Sequence, residues 1–370
     1  MGARGPRREV PIDDIRVSVY RVPTDSPKES DGTYVWTATT LVLVEAHGGG
    51  AMGIGYTYAD TATATLIHDT LADVARGMDV MANGAIWLAL VGAVRNLGRS
   101  GIASMAISAI DNALWDLKAR LLDAPLVALF GAARDAAPIY GSGGFTSYSV
   151  DELRKQLGGW VRDGIPRVKM KIGRDPAADV QRVKAARAEI GDDAELFVDA
   201  NGAYARKQAL AQADRFAEWR VTWFEEPVYH GDHEGLRLCR DRAPAGMDIS
   251  VGEYGYEPRD FAALIEAGAC DVLQADATRC EGMTGLLIVD GLCTSAMMPL
   301  STHCAPSLHV HAACAARQLR HVEYFHDHAR IEHMLFDGAP VPRDGALWPD
   351  LSQPGNGLEF KRADAKAYAI

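Results

Sequence analysis

The first third of the chain combines an alternating pattern with a helical one. Two β-branched, apolar segments at 35–46 and 51–59 flank a glycine run at 48–50. They predict a β-hairpin, because glycine readily adopts the positive φ of a tight turn. A weaker alternation at 14–22 predicts another strand. The polar stretch 24–32 is rich in turn residues and predicts a mobile loop.

Helical patterns follow near 62–78, 85–97 and 101–123. In the third, apolar residues recur at i, i+3, i+4 and i+7, which is the period of an amphipathic helix. Pro125 and Gly131 then end the pattern. The front part is therefore predicted to be α+β, an antiparallel meander followed by a helical bundle.

From residue 137 short apolar or β-branched runs recur eight times, most of them separated by amphipathic helical stretches. The runs lie at 137–143, 167–173, 195–201, 223–227, 248–253, 271–277, 296–303 and 321–326. Eight repeated βα units indicate an α/β fold with a closed (β/α)8-type barrel. The span of about 190 residues is shorter than the usual 250 or so.

The sequence after the eighth run is rich in turn residues. We therefore expect the eighth helix to be missing or replaced, and the tail to pack back on the front part. The predicted domains are an α+β capping domain, residues 1–135 with 327–370, and a barrel domain, residues 136–326.

Polar or ionisable side chains end the predicted strands from the second onward. They are Lys169, Lys171, Asp199, Asn201, Glu225, Glu226, Glu253, Asp276, His303 and Glu323. In barrel enzymes the carboxyl ends of the strands form the rim of the active site. Any one of these residues could be a surface charge or a structural ion pair, but seven consecutive strand ends with such tips indicate a site.

Asp199, Glu225 and Glu253 come from three adjacent strands, with no cysteine or histidine among them. Hard carboxylate oxygens suit Mg²⁺, with Mn²⁺ as an alternative, rather than Zn²⁺. Glu226 alternates with Glu225 on its strand and should point away from the metal, as an ion-pair or supporting residue.

Candidate bases flank the predicted metal site. Lys169 and Lys171 share a face of their strand, and the like charge of Lys169 should lower the pKa of Lys171, which makes Lys171 a candidate general base. Asp276 can fix the tautomer of His303 and raise its basicity. A metal between two bases suits movement of the proton α to a carboxylate.

Composition narrows the function classes. The chain of 370 residues is 48% hydrophobic and 24% charged, with a net charge of −11. That acidic balance argues against nucleic-acid and anionic-membrane binding. No apolar run approaches 18 residues, and the start lacks the apolar stretch of a signal peptide. The six cysteines form no CxxC pair, which favours reduced thiols. We therefore expect a cytoplasmic protein.

The histidines near the end of the chain fit no standard zinc pattern. We predict that His321, His326, His328 and His333 are partly exposed loop or helix-end residues, and that His309 and His311 are structural.

Taken together, the motifs resemble those of the enolase superfamily, and the lysine pair with a later Asp and His resembles its mandelate racemase subgroup. The motifs are KMK (169–171), VDAN (198–201), WFEEP (223–227), VGE (251–253), QADA (274–277), STH (301–303) and, in the front part, the segment 106–132. The resemblance covers roughly residues 12–360. It implies an α+β cap over a (β/α)7β TIM-like barrel.

The resemblance also implies roles for individual residues. Mg²⁺ would bind Asp199, Glu225 and Glu253. Lys171 and the His303–Asp276 pair would be the two acid/base groups. Lys169 would neutralise the substrate carboxylate, Asn201 would contact the α-hydroxyl, and Glu323 would hydrogen-bond a carboxylate oxygen. The chain departs from the family pattern at Glu281-Gly282 and at 130–132, where the family usually has two glycines.

The leading hypothesis is dehydration of an acid sugar to a 2-keto-3-deoxy acid through a metal-stabilised enediolate. The close alternative is racemisation or epimerisation of a 2-hydroxy acid or acid sugar, and a remote one is a catalytically silent barrel with a binding role. We expect a small carboxylate substrate and a homo-oligomer, either an octamer or a dimer.

Overall fold

The computed structural model describes residues 9–26 and 28–370. Its front part contains a three-stranded antiparallel sheet in the order β1-β4-β5, a short β2–β3 hairpin and several helices. The strands are β1 (Ile12–Pro23), β2 (Glu29–Ser30), β3 (Val35–Trp36), β4 (Ala38–Gly48) and β5 (Ala51–Tyr58). The helices are α1 (Thr61–Leu66), α2 (Ala72–Ala75), α3 (Asn83–Ala93), α4 (Ile102–Leu121) and α5 (Leu126–Phe130).

Central strand β4 separates two hydrophobic cores. Val42 and Val44 belong to the core shared with the cap helices, whereas Leu41 and Leu43 face the large core that continues into the barrel. Alternate residues of a strand point to opposite faces, so the sheet is buried on both sides. Helix α4 packs very closely on β5, where a Cβ at Gly53 would lie 2.2 Å from the backbone nitrogen of Leu117.

The helices of the cap differ from prediction in their extents. The pattern at 62–78 is divided between α1, a π-helical turn at Ile67–Leu71 and α2, and it ends before Gly77, which has a positive φ. The helix predicted at 85–97 ends at Ala93. The stretch predicted to be a mobile loop contributes strand β2, which pairs with β3.

Eight parallel strands, β6 to β13, form the barrel, which closes where β13 pairs with β6. These strands are β6 (Ala137–Gly143), β7 (Arg167–Lys171), β8 (Glu195–Asp199), β9 (Val221–Glu225), β10 (Asp248–Val251), β11 (Val272–Ala275), β12 (Leu300–Thr302) and β13 (Leu319–Phe325). The helices are α6 (Val150–Arg162), α7 (Pro176–Ile190), α8 (Arg206–Ala217), α9 (His233–Arg242), α10 (Pro258–Glu266), α11 (Gly282–Ala296), α12 (Pro306–Ala315) and α13 (His326–Leu335). The predicted closed barrel with a cap is confirmed.

Aromatic rings fill the barrel interior below the strand ends. Phe197 stacks on Trp223 with ring centroids 5.3 Å apart, and Tyr140 and His321 contact both rings. The Lys169 ammonium lies 5.2 Å from the Tyr140 ring. This packed floor confines open space to the carboxyl ends of the strands.

The segment after β13 is more helical than predicted. Helix α13 follows directly, because Ile331 and Leu335 are four residues apart and both are buried. The chain then forms β14 (Phe336–Asp337), β15 (Ala346–Leu347), β16 (Glu359–Phe360) and α14 (Arg362–Ala365). Strand β15 pairs with β6, while the Ile370 nitrogen donates to the Val19 oxygen of the cap. The predicted domain boundaries at 135 and 326 stay a prediction.

All six cysteines are buried free thiols. Among the described residues, no helix has both the length and the apolar character needed to cross a bilayer.

Helix α4 joins the cap to barrel helix α11 through buried polar contacts. Asp111 is 1% exposed, and its carboxylate accepts hydrogen bonds from the Thr284 nitrogen (2.8 Å) and the Thr284 hydroxyl (2.7 Å). Burial raises the pKa of Asp111 to about 7 despite these bonds. Asp111 therefore retains its proton in the folded protein at pH values where the unfolded chain has lost it.

As the pH rises from about 4 to about 7, we expect the free energy of unfolding to fall because Asp111 loses its proton later in the folded protein than in the unfolded chain. A raised carboxyl pKa means that the folded state binds more protons in this range, so the free energy of unfolding drops by up to about 1.4 kcal/mol per pH unit. Asp111→Asn keeps an oxygen for the Thr284 nitrogen and a donor for its hydroxyl, so urea unfolding should show a shallower pH dependence. Asp13→Asn, at an exposed position, should follow the wild type; parallel curves for wild type and Asp111→Asn would contradict this expectation.

Candidate active site

The barrel strands bring the predicted site residues together at one end. A cavity of about 220 Å³ lies there, enclosed by the barrel rim and the cap. Its lining includes Lys171, Asn201, Glu253, Arg279, His303 and Glu323 from the barrel and Asp31, Tyr34 and Trp36 from the cap. Lys169, Asp199, Glu225 and Asp276 are buried directly behind these groups.

Asp199, Glu225 and Glu253 form a compact group of carboxylates. One oxygen from each lies within 4.8 Å of the others, and all three side chains are buried. Glu253 Oε2 lies 3.2 Å from His303 Nε2 but without hydrogen-bond geometry, so a buried oxygen is left for another partner. Three hard oxygen donors in this spacing fit Mg²⁺ or Mn²⁺.

Lys169 joins three strands through its ammonium group. It is fully buried, bonds to Glu225, and lies 2.8 Å from Glu323 Oε1 and 3.6 Å from Asp199 Oδ2. Burial opposes its charge, yet these carboxylates raise the pKa of Lys169 well above its usual value. Burial and Asp199 together raise the pKa of Glu225 to about 8.

Lys171 faces Asp199 and bonds to its carboxylate. The pKa of Lys171 is not lowered overall in this arrangement, contrary to the expectation from the sequence. Burial lowers that pKa and so does Lys169, but the opposite charge of Asp199 outweighs them and raises it. A like charge lowers a lysine pKa overall only where no opposite charge outweighs it.

His303 is held by Asp276, as predicted from their order in the sequence. Its Nδ1 lies 2.9 Å from Asp276 Oδ2, and Asp276 Oδ1 accepts a 2.7 Å hydrogen bond from the Thr278 nitrogen. This pairing directs Nε2 toward the cavity, where Glu253 and Cys304 lie. The pKa of His303 is raised, because Cys304 and the two carboxylates outweigh burial.

Glu323 is fixed from two sides. Its Oε1 contacts Lys169, and its Oε2 accepts a 2.8 Å hydrogen bond from the Cys304 nitrogen. Burial would raise the pKa of Glu323, but Lys169 outweighs burial and lowers it. The side chain is therefore a preorganised acceptor on the cavity wall.

Asn201 lies two residues beyond β8, with a φ of 46°. Its backbone nitrogen donates to Asp199 Oδ1 at 2.8 Å, and its side-chain oxygen has no hydrogen-bond partner among the described residues. The amide thus remains available at the cavity wall.

Two side chains beside the site depart from the sequence interpretation. Glu226 has no ion-pair partner in the described parts of the chain. Instead it is buried with both oxygens unbonded, and burial and the nearby carboxylates, Glu253 above all, raise its pKa. The sequence interpretation did not include Arg279 among the site residues, although Arg279 lies three positions after Asp276 and lines the cavity. Its Nη1 donates to the backbone carbonyl oxygen of Glu253 at 2.9 Å.

The histidine predictions hold only in part. His321 and His328 are buried rather than partly exposed, while His326 and His333 have intermediate exposure. His309 has a structural contact as expected, because its Nε2 accepts a 2.8 Å hydrogen bond from the Ala277 nitrogen.

Glu281 takes the place of a glycine that the motif usually has. It adopts a left-handed φ of 68°, and its carboxylate pairs with Arg99 of the cap. The pairing offsets the backbone strain, which is about 1 kcal/mol or more for a residue other than glycine.

Gly252 directly precedes Glu253 and should control where that carboxylate lies. Its φ is 138°, and a Cβ there would meet the Gln274 oxygen at 2.1 Å. Gly252→Ala should therefore displace the end of β10, weaken Mg²⁺ binding at least tenfold by calorimetry, and cost about 2 kcal/mol of stability.

Gly291→Ala is the matched control, since the added methyl on α11 meets no atom within 4 Å. It should bind Mg²⁺ as the wild type does. Equal affinities for the two variants would show that Gly252 does not position the carboxylate.

Comparison with known proteins agrees with this geometry. The family description "Mandelate racemase / muconate lactonizing enzyme, N-terminal domain" matches residues 15–131, and "Enolase C-terminal domain-like" matches residues 152–365. The 3,6-anhydro-alpha-L-galactonate cycloisomerase of Streptomyces coelicolor is 32% identical over 95% of this chain and 98% of its own length.

Solved structures are similar over the whole fold. A mandelate racemase/muconate lactonizing enzyme-like protein from Rubrobacter xylanophilus has a TM-score of 0.95 and 53% identity, covering 97% of this chain and 100% of its own. The L-talarate dehydratase of Polaromonas sp. JS666, complexed with Mg and L-glucarate, has a TM-score of 0.88 and 31% identity, covering 98% of each chain. The chain belongs to the enolase superfamily, in its mandelate racemase subgroup.

Proposed function

We propose that the protein is a Mg²⁺-dependent lyase that removes water from an acid sugar to give a 2-keto-3-deoxy acid. The observation that carries the proposal is one cavity lined by Lys171, Glu253 and His303, where Glu253 belongs to the cluster of three buried carboxylates with Asp199 and Glu225. The dehydratase complexed with Mg and L-glucarate, which resembles this chain over its whole length, supports an acid-sugar substrate.

The substrate carboxylate would bind among charged and polar groups that the folded chain already holds in place. Mg²⁺ held by Asp199, Glu225 and Glu253 would stabilise the negative charge that develops on the carboxylate when the α-proton leaves. Lys169 lies behind the same position and supplies a second positive charge. Glu323 is anchored as an acceptor toward a protonated carboxylate oxygen or a hydroxyl, and the Asn201 amide is free for the α-hydroxyl.

Lys171 and His303 are the two groups that would transfer protons. They extend from β7 and β12, which lie on different sides of the closed barrel, with β8 to β11 between them along the sheet order. One of the two accepts the α-proton. In dehydration the bond from the β-carbon to its hydroxyl then breaks, His303 protonates the departing oxygen, and the enol product becomes the 2-keto acid.

Racemisation or epimerisation at the α-carbon is the second candidate. The observation that favours it is the placement of two proton-transfer groups around one cavity, since one can remove a proton and the other return it on the opposite face. The two reactions share the first step and differ in whether a β-hydroxyl leaves.

A panel of acid sugars in deuterated buffer with Mg²⁺ separates the candidates. Formation of a 2-keto acid with loss of water supports the dehydratase, and α-deuteration with no such loss supports the racemase or epimerase. No exchange with any member would contradict both and favour a binding role.

We expect Lys171→Ala and His303→Ala each to lower turnover by about 10²–10⁴-fold, because each removes a proton-transfer group. Calorimetry should still show Mg²⁺ binding, since Asp199, Glu225 and Glu253 are intact. Lys207→Ala, which removes an exposed lysine of α8, should leave turnover unchanged. Full activity in either site variant would exclude the role assigned to that residue.

The cytoplasmic location and the homo-oligomer, octamer or dimer, also stay proposals. Six buried free thiols support a reducing compartment for the location.

A further inference from the structure

A second group of potential ligands lies outside the catalytic cavity. Asp25 precedes β2, Glu29 lies in β2, and His326 is the first residue of α13. One ligand atom from each lies within 4.8 Å of the others, and Asp25 Oδ2 is 2.8 Å from His326 Nε2. These three residues are called the roof cluster below.

Glu29 is the unusual member of the roof cluster. Its side chain is completely buried, yet neither carboxylate oxygen has a hydrogen-bond partner among the described residues. Burial, together with the negative charges of Asp327 and Asp25, raises the pKa of Glu29 to about 10. A buried carboxylate without donors needs a cation or a proton.

The nearby guanidinium of Arg330 contacts groups other than Glu29. The guanidinium of Arg330 lies 3.6 Å from Asp327 and donates to the Pro23 oxygen at 2.7 Å. Asp327 itself accepts hydrogen bonds from the Trp36 indole at 3.0 Å and the Thr39 hydroxyl at 3.3 Å. Arg330 Nε also has no hydrogen-bond partner among the described residues, so this guanidinium is not paired with Glu29.

We propose that Asp25, Glu29 and His326 bind a second divalent cation, separate from the one at the catalytic carboxylates. One imidazole nitrogen and two carboxylate oxygens suit a transition-metal ion such as Zn²⁺ better than Mg²⁺, which prefers oxygen alone. In a tetrahedral site with bonds of about 2.0–2.1 Å, ligand atoms lie about 3.4 Å apart. In the roof cluster the Asp25–His326 separation is 2.8 Å, and the other ligand-atom separations are no longer than 4.8 Å.

Solvent reaches this cluster through its own opening. A cavity of about 510 Å³, lined by Asp25, His326, Glu152 and Lys155, lies beside it. The Asp25 and His326 side chains are 43% and 23% exposed. An ion could therefore enter and leave without crossing the catalytic cavity.

The ion would connect the β2–β3 hairpin, which lines the catalytic cavity, to the barrel. The β2–β3 hairpin carries Asp31 and Trp36, which line the catalytic cavity, while His326 directly follows β13, which carries Glu323. A bound ion joins these two elements and holds the hairpin down. The binding site itself does not depend on which reaction the enzyme performs.

The test is Zn²⁺ binding to chelator-treated full-length protein, with metal counted by mass spectrometry and located by anomalous diffraction. We expect two ions per chain in the wild type, one in Glu29→Gln and one in Asp199→Asn, which lacks a catalytic ligand. An anomalous peak should lie between Asp25, Glu29 and His326.

Asp25→Asn tests the site without touching the core, because Asp25 is partly exposed. It should weaken binding of the second ion at least tenfold. Asp69→Asn is the matched control, since Asp69 pairs with His68 at 2.6 Å on an exposed surface and belongs to no three-ligand group among the described residues; it should still bind two ions.

The absence of an anomalous peak between Asp25, Glu29 and His326 in the wild type, or wild-type affinity for two ions in both Glu29→Gln and Asp25→Asn, would overturn the proposal. The first of these results would assign a proton to Glu29 in place of a metal. Because the count uses no substrate, failure here is distinguishable from failure of the proposed reaction.

Discussion

The structure depends on a set of charges buried at the mouth of the barrel. Lys169 is fully buried and contacts carboxylates from β8, β9 and β13. Removing one partner of such a pair costs about 3–5 kcal/mol, since the other charge stays buried and unpaired. The arrangement holds only while the barrel is closed. The aromatic floor of Phe197 and Trp223 excludes water from below, and the Trp223 indole donates to Glu225 at 3.0 Å.

Two buried carboxylates of the cap, Asp116 and Asp111, hold it in place over these buried charges. Asp116 of α4 accepts hydrogen bonds from the Ile54 nitrogen at 2.8 Å and the Asn356 nitrogen at 2.7 Å. One carboxylate therefore joins the cap helix, the cap sheet and the C-terminal segment. Asp111 of the same helix connects to the barrel through Thr284. The two contacts hold the cap over the strand ends, where the hairpin of β2 and β3 closes the cavity.

The sequence was informative where one periodic rule decides the outcome. The repeated βα units predict the barrel, and parallel strands must place their carboxyl ends together, so Asp199 and Glu225 could be assigned to one site. It was less informative where a contact joins distant segments. The raised pKa of Glu29 depends in part on Asp327 of α13, which lies far away along the chain. Likewise the pKa of Lys171 depends on which of its neighbours lies closer, and spacing alone does not give that distance.

The two groups of buried carboxylates differ in the positive charges that lie next to them. Two of the catalytic carboxylates, Asp199 and Glu225, end β8 and β9, and each contacts a lysine of β7. Glu29 lies on a cap hairpin, and Trp36 and Tyr34 of the same segment line the catalytic cavity. The cation proposed for the roof cluster would give Glu29 the opposite charge that the lysines of β7 give Asp199 and Glu225, because no hydrogen-bond donor reaches Glu29 among the described residues.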